Sequence, residues 1–438
     1  MLNKIIVIGA GQGGLRAAAL LAKSGYDVCV YENADEDSVG INWFDGVSEK
    51  LFRDLDIAIP DDSFKGFPVS FTAPGSDKPL YIWTKPEGMD WSVNRRSFSK
   101  QLIAEARKCG AELIFGAKVQ SLIFNNSAVT GVIVNGEQIL ADLVIDSSGL
   151  HSPFRRSLPV RAGITAEPGE SEVFNVYRGI YSQTPGFPEL PDNHKFRMYL
   201  KYQGKKSISW CGVEPSGELN VLVGMIGKMD SNSFNLLYSH LKMDNPIIDS
   251  VIDNRCAESS IPVRYPLTRF SFPGYAAVGD AAFMTIPIMG NGIENSIRAG
   301  QMLAEAIISD DSVSIDTLWK YQVRYYREIG AACYLLDWIK RGLLESDNEE
   351  LRKFMESGFV RDEDIKAVMS GNIGEVPLSE WIKKPGKLFA SRKFTGKVLG
   401  YALKGVRAAA AAYSIPKKYN SIEVDKWAYK AENAMKEI

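Results

Sequence analysis

The sequence predicts an α/β fold on three observations. A β-branched apolar run passes into a glycine-rich turn and a small-residue helix at the N-terminus, apolar alternation fills the middle of the chain, and helical periodicity follows from about residue 316. Residues 4–8, KIIVI, read as a strand, and GAGQGG places Gly9, Gly11 and Gly14 in a GxGxxG spacing. LRAAALLAKSG reads as a helix stopped at Gly25, and DVCVYE as a second strand ending at Glu32. Strand, turn, helix and strand in that order begin a Rossmann-like unit that binds a dinucleotide. Gly9 permits the turn, and Gly11, with Ala10, Gln12 and Gly13 around it, lets backbone amides approach a pyrophosphate at the helix N-terminus. Gly14 lets helix and strand pack closely. Glu32 would accept from ribose hydroxyls. Asn33 follows it with no arginine beside it to hold a 2′-phosphate, which disfavours NADP at this site.

Composition narrows the class. The 438 residues are 45% hydrophobic and 24% charged, the proportions of a folded protein with two or three domains. With 51 Lys plus Arg against 53 Asp plus Glu, the net charge of -2 gives no global reason to bind nucleic acid. Cys29, Cys109, Cys211, Cys256 and Cys333 are widely spaced, with no CxxC, and read as reduced thiols rather than a metal set. MLNKIIVIGAG has no signal-peptide core, which predicts a cytoplasmic protein, and no run reaches the length of a spanning helix.

Three later segments decide which dinucleotide is bound. Residues 91–111 read WSVNRRSFSKQLIAEARKCGA, with Arg95, Phe98 and Leu102 spaced as R, two residues, F, three residues, L. ADLVIDSSGLHSPFRR carries Ser148, Gly149, Ser152 and Arg155. GYAAVGDAAFMTIPIMGNGIENSIRAG carries Gly279, Asp280, Pro287 and the turn Gly290, Asn291, Gly292. Together these resemble the FAD oxidoreductases of the p-hydroxybenzoate hydroxylase superfamily. The resemblance implies FAD, with Arg95 at its phosphate or ribityl chain and Val119 where backbone meets adenine. It puts Ser148, where aspartate is usual, beside Gly149 in the second motif, and Asp280 after Gly279 on the ribityl chain. Pro287, Gly290 and Asn291 fall beside the isoalloxazine, and the amides of Gly292 and Ile293 where charge develops on reduction. Within the superfamily, residues 1–310 resemble geranylgeranyl reductases, which saturate isoprenoid double bonds. That likeness rests on SVNRRSFSKQL, the Ser148 variant and SISWCGVEPSGELNVLVGMIG, where Trp210 and Pro215 match the family motif and Ile208 replaces its tyrosine.

The expected architecture is therefore a Rossmann-like FAD-binding domain with an inserted β-rich substrate domain and a C-terminal helical extension. The FAD domain takes residues 1–62, 92–152 and 262–315, the substrate domain 63–91 and 153–261, and the helical region 316–438. KFRMYLKY and LNVLVGMI read as strands, and AELIFGAKVQSLIFNN as a strand pair. Trp43, Tyr177, Arg178, Trp210 and Tyr265 are candidates to line a pocket over the flavin. Residues 379–438 hold 13 Lys plus Arg and 5 Asp plus Glu, and the stretch KLFASRKFTGKVLGYALKGVRAAAAAY is basic and amphipathic. It suits either a cap packed on the core or a peripheral contact with an anionic membrane.

The expected function is an FAD-dependent oxidoreductase that passes a hydride to C=C bonds of a small hydrophobic or lipid substrate. NAD(P)H or a small iron-sulfur protein would supply the electrons. A flavin monooxygenase acting on a small hydrophobic molecule is the alternative, and a non-catalytic flavoprotein a third reading. None of His151, His194 and His240 falls in a recognisable acid–base constellation.

Overall fold

The run Lys4–Ile8 has no polar face, and its last four residues are buried, as a central parallel strand requires. The structure, a computed structural model, describes residues 3–82, 89–125, 128–164, 167–252, 256–356 and 392–436. In chain order come β1 (Lys4–Ile8), α1 (Gln12–Lys23), β2 (Asp27–Tyr31), β3 (Phe44–Val47), α2 (Glu49–Asp54), β4 (Phe64–Lys65), β5 (Val69–Thr72) and β6 (Leu80–Ile82). Next are β7 (Trp91–Asn94), α3 (Arg95–Lys108), β8 (Glu112–Ile114), β9 (Val119–Asn125), β10 (Ala128–Val134), β11 (Glu137–Leu140), β12 (Leu143–Asp146) and α4 (Pro153–Ser157). Then follow β13 (Val173–Gln183), β14 (Phe196–Leu200), β15 (Ser207–Val213), β16 (Leu219–Ile226), α5 (Ser231–Asp244), β17 (Ile248–Val251) and β18 (Ala257–Pro262). The last are β19 (Ser271–Phe272), β20 (Tyr275–Ala277), α6 (Ile293–Asp310), α7 (Ile315–Tyr325), α8 (Ala331–Glu345), α9 (Asn348–Glu356), α10 (Arg392–Tyr413) and α11 (Ser421–Asn433).

Four sheets organise these elements. The dinucleotide sheet runs β19-β20-β12-β1-β2-β8, parallel apart from the β19–β20 hairpin. A second sheet, β17-β13-β16-β15-β14-β5-β6, has β18 on β13 as an eighth strand. The sheets β11-β10-β9 and β3-β7-β4 complete the set. The segment AELIFGAKVQSLIFNN does form two strands, but they do not pair with each other. β8 adds in parallel to β2, whereas β9 pairs antiparallel with β10. Alternation identifies a strand without choosing its partner, and Gly116, whose amide donates to Ala34 O at 3.1 Å, turns the chain out of the first sheet.

Helices α1 and α6 cross at Gly13 and Gly300, where a Cβ on Gly300 would lie 2.0 Å from Gly13 O. Only hydrogen at that position lets the backbones approach so closely. The helical region after residue 316 is continuous with this core. A π turn at Tyr326–Gly330 joins α7 to α8, and Leu318, Trp319, Tyr321, Tyr325 and Tyr326 share one apolar cluster with β1 and α1. Within the alanine run, Ala408, Ala411 and Ala412 of α10 are buried. Gly405 sits so close to α8 that a Cβ there would meet Leu335 at 2.7 Å. Lys387, Leu388 and Phe389 of the basic stretch lie outside the described residues, as do the side chains of Arg392, Lys393, Phe394, Val398 and Leu399.

All five cysteines are free thiols, and burial pushes Cys29 up to about 11 and Cys211 and Cys333 up to about 12. Among the described residues no helix is long and apolar enough to cross a membrane, and no group of three or more His, Cys, Asp or Glu could hold a metal ion.

Candidate active site

The glycine loop is built as the motif requires, and its surroundings explain more of it than the motif does. Gly9 has φ +89°, a conformation L side chains rarely adopt, and its amide donates to Tyr31 O at 2.8 Å. A Cβ on Gly11 would stand 2.5 Å from Ser147 Oγ, and one on Gly14 2.7 Å from Ser147 Cβ. The loop after β12 therefore presses on two of the motif glycines. Gly13, outside the GxGxxG glycines, is fixed just as firmly, since its Cβ would meet Ser296 O at 2.4 Å. Ala10 and Gln12 complete the turn into α1. Glu32 reaches back over this loop: Oε2 accepts from Ala10 N at 2.7 Å and Oε1 from Ala34 N at 2.8 Å. Its carboxylate stands at the mouth of the cradle, with Asn33 exposed beside it. Val119 opens β9 as a buried residue opposite Val134.

Asp146, which sequence reasoning passed over, is the hub of the second motif. It ends β12 with no exposed surface and accepts from Ser148 N at 3.0 Å, Ser148 Oγ at 2.6 Å, Ser152 Oγ at 2.5 Å and Tyr275 Oη at 2.6 Å. Burial first, and then Asp146, hold the Tyr275 phenol well above its ordinary value, so it stays a donor. Ser152 also caps α4, and Arg155, fully buried, donates to Ala281 O and Leu150 O, both at 2.8 Å. An acidic residue ending a buried strand was the available signal. At Gly149 a Cβ would meet nothing within 4 Å, so the chain leaves open space there.

The third motif supplies the opposite wall. Gly279 and Asp280 follow β20, and Asp280 Oδ1 accepts from Thr285 Oγ1 at 3.0 Å. Burial raises its carboxyl above the ordinary range, against the Thr285 hydrogen bond and the nearby Arg95 guanidinium, which lower it. Pro287 is buried, and the turn at Gly290, Asn291 and Gly292 leads into α6. Asn291 Nδ2 donates to Gly46 O at 3.2 Å, tying this turn to β3. The Ile293 amide, expected at the flavin, donates to Asn291 Oδ1 at 3.3 Å. A Cβ on Gly46 would likewise meet nothing within 4 Å.

Arg95, the first residue of α3, is set by Asn94, whose side chain caps the helix by accepting from Arg96 N and Ser97 N. Its Nε has no hydrogen-bond partner and faces Asp45 Oδ2 at 3.5 Å. Asp45 Oδ1 in turn accepts from Arg178 at 2.6 Å. Arg178 also donates to Phe44 O and to Asn220 Oδ1, the latter at 2.8 Å, and lies 5.1 Å from the Trp43 ring and 5.4 Å from that of Trp210. Asp45 and Asn220 carried no sequence signal, because their partners lie on other elements.

Trp43, Arg178 and Trp210 thus come together, and Tyr177 does not join them. Successive strand residues face opposite ways, so Tyr177 packs on Phe234 of α5 at 5.0 Å and lines a cavity of about 1000 Å³ with Asp280, Ser148 and His151. Tyr265 is buried in the main core, 4.6 Å from the Tyr334 ring and apart from the other four candidates. Aromatic residues at a domain seam are read from sequence equally well as pocket or core, and here the α8 helix covers the seam.

These residues fit a flavin dinucleotide: a glycine cradle whose Cβ positions are barred, a carboxylate at its mouth, an arginine Nε with no hydrogen-bond partner, a buried carboxylate, and open space at Gly46 and Gly149. The class that fold and site define is that of the FAD-dependent oxidoreductases. NAD(P)-binding Rossmann-like domains match residues 7–57. The chain resembles the geranylgeranyl reductases. It is 22% identical to digeranylgeranylglycerophospholipid reductase of Sulfolobus acidocaldarius over 82% of either chain, and 27% identical to that of Thermoplasma volcanium over 80% of this chain and 90% of the other. A geranylgeranyl bacteriochlorophyll reductase-like protein from Thermoplasma acidophilum shares the fold with a TM-score of 0.74 and 20% identity, covering 88% of this chain and 99% of that one.

Proposed function

We propose that this chain saturates C=C bonds of an isoprenoid lipid with electrons carried by bound FAD. The observation that carries the reading is the position of Met289. It belongs to the turn expected beside the isoalloxazine, and it packs in one apolar cluster with Val69, Phe71, Met198, Ile208 and Trp210 of the eight-stranded sheet. The sheet face that meets this turn at Met289 is therefore hydrocarbon, the kind of lining an isoprenoid chain packs against.

FAD bound in the cradle supplies a two-electron hydride carrier. The residues of the chain bind and orient. Gly11 and the N-terminus of α1 offer amides to the pyrophosphate, Arg95 its guanidinium, and Asp280 an acceptor for a ribityl hydroxyl. The N-terminus of α6, an 18-residue helix, brings its positive dipole end to the turn Gly290 to Ile293, where it favours negative charge. Trp43 and Trp210 exclude water from the seam. We further infer electron supply by NAD(P)H or a small iron-sulfur protein, and a peripheral lipid contact through α10.

Anaerobic reduction of the purified protein, followed by reoxidation with a geranylgeranyl lipid or with oxygen, tests the reading. Faster reoxidation by the lipid is expected. Rapid oxygen reaction with no response to lipid would favour a monooxygenase, and a colourless protein would remove FAD altogether.

A further inference from the structure

Substrate sheet and cofactor arginine share one carboxylate. Asp45 presents Oδ1 to Arg178 at 2.6 Å and Oδ2 to Arg95 at 3.5 Å. The two arginines belong to different layers, Arg178 to β13 of the eight-stranded sheet and Arg95 to the start of α3. Arg178 is 4% exposed and packed between two indoles. Asn220 Oδ1 accepts from both Arg178 Nε at 2.8 Å and Trp210 Nε1 at 3.1 Å, so the indole and the guanidinium are held by one amide. Asn220 is itself fixed through Glu214 Oε1 at 3.1 Å. From Trp210 to Arg95 every link is a direct contact.

We propose that Asp45 is a positioning residue that couples the substrate face of the sheet, through Arg178, to Arg95 and hence to the reactivity of the flavin. The coupling rests on the reading that FAD binds beside Arg95. Two guanidiniums share a single carboxylate, which leaves about one excess positive charge at the flavin site, a charge that favours the reduced, anionic cofactor. A displacement of Trp210 by hydrocarbon moves Arg178 between its two aromatic faces and redistributes Asp45 between its partners. Burial disfavours the charged form of Asp45, and Arg178 and Arg95 overcome it, so the carboxylate stays ionised across the working pH range. Asparagine at 45 keeps the shape and removes the charge. Lysine at 178 keeps the charge but loses the planar stack and the fork of donors.

The test is the midpoint potential of bound flavin in the holoenzyme, with and without geranylgeraniol in detergent, for wild type, Asp45→Asn and Arg178→Lys. Asp45→Asn is expected to favour the reduced form by tenfold or more, which for a two-electron couple is about 30 mV upward. Arg178→Lys is expected to keep the wild-type potential and to lose the shift that geranylgeraniol causes. A purely structural role would alter melting temperature and leave both potentials in place. An unmoved potential in Asp45→Asn with flavin bound overturns the coupling. Should Asp45→Asn not fold, a retained geranylgeraniol shift in Arg178→Lys overturns it equally. A wild-type protein without flavin overturns the flavin reading itself, and the coupling with it.

Discussion

The Ser148 hydroxyl donates to Asp146 Oδ1 at 2.6 Å, and this pair explains why serine stands where aspartate is usual in related motifs. A carboxylate at 148 could not donate, and it would face the buried carboxylate two residues before it. Ser148→Asp is expected to cost about 1–3 kcal/mol, because buried Asp146 loses a donor and gains a second carboxylate beside it. Adding Asp146→Asn to Ser148→Asp removes the facing charge while keeping an acceptor for Tyr275, and is expected to recover part of that loss. Urea denaturation of both variants and of the wild type measures it, and a double variant no better than Ser148→Asp contradicts the account.

Gly11 and Gly13 are adjacent in function but differ in what an added methyl meets. At Gly11 the nearest atom is a serine hydroxyl that can rotate away, whereas at Gly13 it is the backbone carbonyl of Ser296 at 2.4 Å. Gly11→Ala is expected to fold with weakened flavin binding, because its methyl pushes the Ser147 loop and the glycine turn apart. Gly13→Ala is expected to lose about 3 kcal/mol or more through overpacking of α1 on α6. Flavin absorbance together with thermal melting separates the two outcomes.

Asp280 sets a pH dependence of known sign. Its carboxyl is raised by burial, so its contribution to stability is full below the ordinary carboxylate value of about 4 and is lost as pH rises through the raised value. Flavin-free protein should therefore melt progressively lower, on account of this group, as pH rises from about 4 toward neutrality. Asp280→Asn is expected to flatten that slope. Melting curves across this range decide, and a mutant slope equal to the wild type assigns the effect elsewhere.

The exposed side of α10 carries Leu403, 50% exposed, with Lys404, Arg407 and, at its end, Tyr413. If this face meets an anionic lipid surface, binding to phosphatidylglycerol vesicles should fall steeply between low and high salt, while neutral vesicles bind little. Arg407→Glu is expected to weaken sedimentation with anionic vesicles several-fold without altering the melting temperature. Equal binding to neutral vesicles contradicts an electrostatic contact.

What the sequence made legible was local. The strand, turn and helix of Lys4 to Lys23 and the acidic end at Glu32 are specified by neighbours within thirty residues. Gly279 and Asp280 stand out in the sequence because a long segment keeps one register. Asp45 could not, since its partners stand at 95 and 178 and nothing in the chain links those positions before folding. Tyr265 is ambiguous for a related reason: its ring is as apolar against Tyr334 as it would be against a ligand. Strand partners for 112–125 escaped because alternation states a period and no address.

Trp427 of α11 lies against Tyr326 at 4.9 Å and Trp319 at 6.1 Å, and Glu432 accepts from Thr268 at 2.6 Å. Helix α11 thus closes the core to which β1 and α1 belong. During synthesis the nucleotide-binding half leaves the ribosome long before the residues that cover its tyrosines exist, so an apolar surface must wait for its lid. A chain truncated before residue 421 is expected to leave Trp319 and Tyr326 uncovered and to aggregate more readily than the 438-residue chain.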